Sequence, residues 1–259
     1  MNITRLAATL LLAVALCAPI KAAAQQNPSQ SLGKDVYESV YLLYTQDVES
    51  DMKMTCTATA YRTVQNKDKT LDTRLVSAAH CVQGDDSKQQ KLEKFYISAD
   101  NNGSKIFIPV TVVEVGDKRQ GDDFVILQAK GTAFHLTPLG DSDKTYMGES
   151  VIGVSAPYGL GKEYYQGYVS NTHLDRPPLD AGDVRWTDLE LVSIGGGPGS
   201  SGSAIVSVDQ RAITGFLVGR IPGEEIGFMC VPVNKFRAFE KAVDNGSYKK
   251  TKVDKHEDF

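Results

Sequence analysis

Apolar residues along this chain fall in short runs separated by polar turn residues, not at helical spacing. VYLLYT (40–45), TCTATAYRTV (55–64), TRLVSAA (73–79), KFYISA (94–99), IFIPVTVVEV (106–115) and DFVILQA (123–129) make up the first half. SVIGVSA (150–156), YQGYVSN (165–171), LELVSI (189–194), SAIVSV (203–208), AITGFLVG (212–219) and GFMCVPV (227–233) make up the second. Most are bounded by Gly, Asn, Asp or Pro, as in DNNGSK and VDQR. Strand-length runs with such turns predict an antiparallel all-β protein, a barrel or a sandwich. One helix is expected, in NKFRAFEKAV, where Phe236, Phe239 and Ala242 share a face and Asn234 can cap the start. From residue 244 to 259 charges dominate, which predicts a solvated, flexible tail.

The first 24 residues break this pattern. Arg5 precedes the apolar stretch LAATLLLAVALCAPI, and Ala22, Ala23 and Ala24 follow it, the arrangement of a secretory signal cut after Ala24. Pro19 and Lys21 interrupt the stretch below the roughly 20 residues that cross a bilayer, so no retained membrane anchor is expected. Leu16 before Cys17 is a poor match to the small residue of a lipoprotein signal. The implied location is secreted or periplasmic, with residues 25–35 read as a flexible lead-in to a domain at 36–243. The formal charge is −4, and loss of Arg5 and Lys21 with the leader makes it −6, which disfavours nucleic acid as partner.

Export also changes what the cysteines can do. Cys56, Cys81 and Cys230 remain after cleavage, and disulfides persist outside the cytosol, so one pair and one leftover thiol are expected. Cys56 and Cys81 bracket a polar, turn-rich stretch; joining them would remove roughly 3 kcal/mol of unfolded-chain entropy. Cys230, in an apolar run, is then a buried thiol. Without a C-x-x-C pair or H-E-x-x-H, neither a zinc site nor any cofactor is expected.

Against this background GGGPGSSGSA (195–204) stands out. A phosphate loop needs Lys and then Ser or Thr after its last glycine, where Ser203 and Ala204 stand. A glycine-rich turn that presents one serine remains, with Gly199 and Gly202 allowing a sharp turn and N–H groups aimed into one pocket. Serine is a weak nucleophile and needs a base and an orienting acid. His80, in LVSAAHCV, follows an apolar strand beside Cys81; Asp123 opens the apolar DFVILQA, where a carboxylate is costly unless it receives a donor such as an imidazole N–H. Asp122 is its rival, with a side chain expected on the opposite face. Ser201 completes the set, and Ser200 and Ser203 are read as structural. The G-x-S-x-G elbow of α/β-hydrolases does not fit, because Ser203 replaces its last glycine.

In this order LVSAAHC, DDFVIL and GSSGSA resemble the His, Asp and Ser motifs of the chymotrypsin-fold serine proteases. GVSAPYGLGKEYYQGYVS and IGFMCVPVNKF are similar to segments of the bacterial trypsin-like group that includes the HtrA proteases. No PDZ-like segment is seen after them. The resemblance covers residues 36 to 243. It implies two antiparallel six-stranded Greek-key barrels with a C-terminal helix and the active site between them. By it, Ser201 attacks the carbonyl of a protein or peptide substrate, His80 is base then acid, Asp123 orients it, and Gly199 and Ser201 N–H groups form the oxyanion hole. The specificity pocket would have Gly195 at its floor and Val218, Gly219, Arg220, Gly227 and Phe228 in its walls. No acid stands there to receive Lys or Arg, so an apolar or small residue is expected before the cleaved bond.

Two other functions share these motifs, a binding or adhesion module that has lost activity and an esterase using the same triad. Ser200 occupies the position where trypsin zymogens carry the aspartate that receives a new N-terminus. Activity indifferent to a start anywhere between Gln25 and Lys34 is therefore expected.

Overall fold

The computed structural model describes residues 28–47, 52–83, 92–101, 104–176, 186–221 and 227–250; the leader expected at 1–24 lies outside them. Each of the twelve apolar runs coincides with a strand. Six of them, β1 (Val40–Asp47), β2 (Lys53–Gln65), β3 (Leu71–Ser77), β4 (Leu92–Asn101), β5 (Ser104–Val115) and β6 (Val125–Ala129), close a barrel in the order 1-2-3-6-5-4. The other six are β7 (Ser150–Ser155), β8 (Glu163–Arg176), β9 (Trp186–Ser193), β10 (Ala204–Ser207), β11 (Ala212–Arg220) and β12 (Phe228–Pro232), and they repeat that order. All paired strands are antiparallel, so each barrel is a Greek key and neither leaves an open edge.

The runs are apolar throughout because many strands are buried on both faces. Along β6, Val125 and Leu127 fill the first barrel while Ile126 turns outward against the second. On β7, Val151 fills the second barrel while Ile152 and Val154 face the first. The outward residues form a seam core in which Phe124, Phe216 and Phe236 pack edge to face, with centroids 5.1 to 6.1 Å apart.

Two helices close this seam. The predicted one, α2 (Val233–Asp244), follows β12 directly and buries Phe236 and Phe239 there. Its start differs from expectation. Pro232 is the cap residue, and the Asn234 amide instead donates to Asp141 while its N–H meets Ser142 Oγ. The other helix, α1 (Pro28–Ser39), takes in most of the segment expected to be a flexible lead-in; Leu32 and Val36 enter the seam core. Tyr248, expected in a solvated tail, packs on Phe239 at 4.7 Å and bonds Asp117 and Asp122. Among the described residues, no helix is long and apolar enough to cross a membrane.

Candidate active site

Asp123 owes its position to the strand it precedes. Phe124 and Val125 are fully buried, which draws the Asp123 carboxylate to zero exposure at the seam. Behind it the chain doubles back so tightly that a Cβ on Gly116 would lie 2.1 Å from Asp122 O, a place only glycine can fill. The carboxylate then takes two donors from one residue: His80 N–H reaches Oδ1 at 2.9 Å, and Nδ1 lies 2.6 Å from Oδ2. An ionised carboxylate can only accept, so the proton facing it sits on Nδ1, which in the neutral imidazole leaves Nε2 as the acceptor. Asp122 points elsewhere, toward Tyr248, with burial holding its carboxyl above the usual range.

His80 sits in a single 3₁₀ turn, Ala79–Cys81, whose flanking residues are buried while its own ring is about one-third open. Cys81 is joined to Cys56. That disulfide ties the His80 turn to β2, and the next residue of β2 ties β2 to the loop that carries Ser201.

Thr57 is that residue. Its N–H donates to Ser201 O (2.9 Å), its hydroxyl donates to Gly199 O (2.8 Å), and the same hydroxyl accepts the Ala156 N–H (3.1 Å). Its carbonyl takes the Ser77 hydroxyl (2.7 Å) and lies 2.2 Å from where a Gly202 Cβ would be. Gly202, at φ +85°, is therefore fixed by backbone shape and by close approach together.

Within the loop the three serines divide cleanly. Ser200 is fully buried, bonding Ser155 Oγ (3.0 Å) and the Gly197 N–H (3.1 Å), and the buried Ser203 hydroxyl donates to Ser200 O. Ser201 alone reaches partial exposure. Among the described residues no hydrogen bond joins its hydroxyl to His80, and none engages the N–H groups of Gly199 or Ser201.

The direction of the Gly199 N–H is set from outside the loop. Tyr158 N–H donates to Pro198 O at 2.6 Å. Pro198 O and Gly199 N–H belong to one trans peptide and point opposite ways, so holding the first aims the second. The Tyr158 ring lies against Gly197, and Gly199, at φ +98°, would place a Cβ 2.7 Å from Ala156 O.

The expected specificity residues are only partly assembled. A Cβ on Gly195 would fall 2.2 Å from the Tyr165 ring, and one on Gly196 3.1 Å from Phe228, so two aromatic rings wall this part of the loop. Gly227 is buried beside Phe228; Gly219 is half-buried and Arg220 is exposed. Val218 departs from expectation. At the β11 irregularity between Leu217 and Gly219 its side chain enters the seam core. Sequence reasoning missed Thr57, Tyr158 and Tyr165, and only the place of Thr57 beside Cys56 could have hinted at one of them.

A family model described as trypsin-like peptidase domain matches residues 63–215, more than half of the chain. Two similar solved structures are an HtrA-type protease, AlgW, with a decapeptide, and a serine endoprotease from Yersinia pestis. The first has 14% identity and a TM-score of 0.65, covering 84% of this chain and 68% of that one. The second has 16% identity and a TM-score of 0.61, covering 86% and 69%. At these identities the likeness shows the fold. No curated protein matches the chain significantly.

Proposed function

The chain belongs to the trypsin-like peptidase domain family, and from that premise we propose that it is a secreted or periplasmic serine endopeptidase working through His80, Asp123 and Ser201. The observation that carries this reading is the double hydrogen bond from His80 to the buried Asp123, covalently linked through Cys56–Cys81 to the strand that grips the Ser201 loop.

In this reading Ser201 Oγ bonds to the substrate carbonyl carbon while its proton passes to His80 Nε2. Asp123 keeps the imidazole in the required tautomer and stabilises the imidazolium that forms. Negative charge gathers on the former carbonyl oxygen, which the Gly199 and Ser201 N–H groups receive. The carbon–nitrogen bond then breaks, His80 returns its proton to the leaving amine, and an acyl group remains on Ser201. Water, deprotonated by His80, repeats the sequence and frees the acid.

A fluorophosphonate probe, followed by mapping of the labelled residue, tests the nucleophile. Labelling at Ser201 together with cleavage of unfolded protein substrates is expected. A folded chain that takes no label would mark a binding module, and a chain that labels and cleaves esters but no peptide would mark an esterase.

A further inference from the structure

The strength of an oxyanion site depends on N–H groups fixed before the reaction, and here one of them is fixed through the 157–162 loop. Both feet of that loop rest on α1. Before the loop, β7 sends Ile152 and Val154 into the core that Leu32 and Val36 of α1 enter. After it, Lys162 extends its ammonium to Tyr37 O (2.7 Å), in the last turn of α1, and to Val40 O (3.0 Å), at the start of β1, and lies 4.0 Å over the Tyr37 ring. A cation there meets the negative end of the helix dipole and the face of an aromatic ring, and its donors tie the last turn of α1 to the first residue of β1. Two residues on, the Tyr164 ring packs so closely on α1 that a Cβ on Gly33 would lie 2.6 Å from it.

We propose that Lys162 is a positioning residue for the oxyanion site, and that α1 is the strut through which it acts. With Lys162 seated on α1, the turn Pro157–Gly159 cannot drift, Tyr158 N–H stays on Pro198 O, and Gly199 N–H stays aimed at the reacting carbonyl. Without that seat the Tyr158 hold on Pro198 O loosens while Thr57 still grips Gly199 O, so the Pro198–Gly199 peptide gains rotational freedom inside an otherwise fixed loop, and the transition state, which carries the charge, feels the loss most. The inference rests on the peptidase reading for its catalytic consequence, but its structural half stands apart from it.

The test compares the full chain with its Lys162→Met and Lys162→Arg variants. Methionine keeps an apolar stem and removes the charge and the donors; arginine restores both. Lys162→Met is expected to slow phosphonate acylation and kcat about tenfold or more, the scale of a weakened oxyanion donor, with KM nearly unchanged. Lys162→Arg is expected to recover most of the loss. Amide hydrogen exchange across residues 195–203 is expected to quicken in the methionine variant alone. Wild-type acylation and unchanged exchange in Lys162→Met would overturn the proposal. Should that variant not fold, Val36→Ala weakens the strut from its other side and is read in the same way. Exchange requires no turnover, so a wild-type chain inert to the phosphonate would refute the peptidase reading while loop order still decided this one.

Discussion

Thr57 makes four backbone-directed contacts with three segments, and its hydroxyl supplies two of them. Thr57→Val keeps the shape, deprives a buried N–H at Ala156 of its acceptor and strips Gly199 O of a donor. A loss of about 1 to 3 kcal/mol in urea unfolding is expected, accompanied by lower activity, because the same hydroxyl fixes the loop. Asp123→Asn should leave the fold in place and lower kcat by about 10⁴-fold, since an amide facing Nδ1 favours the wrong tautomer. Equal rates for the two forms would remove Asp123 from the mechanism. Where the sequence places the floor of a specificity pocket, Tyr165 stands in the space a side chain on Gly195 would take, with its hydroxyl bonded to Glu163. The expected preference is therefore for small apolar residues, and Tyr165→Ala should shift it toward larger ones. Peptides with Ala, Val, Leu, Phe and Lys before the scissile bond measure this, and an unchanged profile would exclude Tyr165 from the pocket.

Among elements, the strands were legible because each run is short, bounded by turn formers and apolar enough to be buried on both faces. The candidates His80, Asp123 and Ser201 stood out for a related reason: each sits close to the end of such a run, beside a local signature. α1 was not. Its sequence, PSQSLGKDVYES, places a glycine mid-helix and offers only Leu32 and Val36 as an apolar pair, so intrinsic propensity argues against a helix. Tertiary burial supplies what propensity lacks. Thr57, Tyr165 and Lys162 were hidden likewise, because what they touch is far away in sequence. The helix also bears on the expected indifference to the starting residue. A chain beginning at Gln25 keeps α1 whole, whereas one beginning at Lys34 lacks Leu32 and Gly33, so the shorter chain should melt earlier and turn over more slowly. Equal melting temperatures for the two chains would show that α1 contributes nothing.

Across the whole molecule, stability should follow pH through a group remote from the His80–Asp123 pair. Glu190 is buried on β9 opposite Cys230, and burial first, then the charges of Glu149 and Asp188, push its carboxyl up to about 8. A carboxyl raised in the folded state holds its proton while the unfolded chain has released it. Its contribution to stability is therefore greatest below the unfolded value of about 4.3 and declines as pH rises toward 8. Each pKa unit corresponds to about 1.4 kcal/mol. Denaturant unfolding between pH 5 and pH 8 should show this decline, and Glu190→Gln should flatten it; parallel curves for the two forms would assign the dependence elsewhere.

The contact of Tyr248 with Asp122 bears on how the protein is handled. Asp122 and Asp123 are neighbours, one held by Tyr248 and the other by His80, so the last described turn of the chain presses on the residue next to the carboxylate that holds His80. On the same side the Gln120 amide donates to Lys249 O. An affinity tag fused directly after Gly246, or a trimmed chain ending there, would leave Asp122 half-buried without its phenol and loosen the connection that sets Asp123. Tags belong at or beyond Lys250, and a preparation shortened to Gly246 would be a poor reference for the activity of the protein although every residue of the site is still in it.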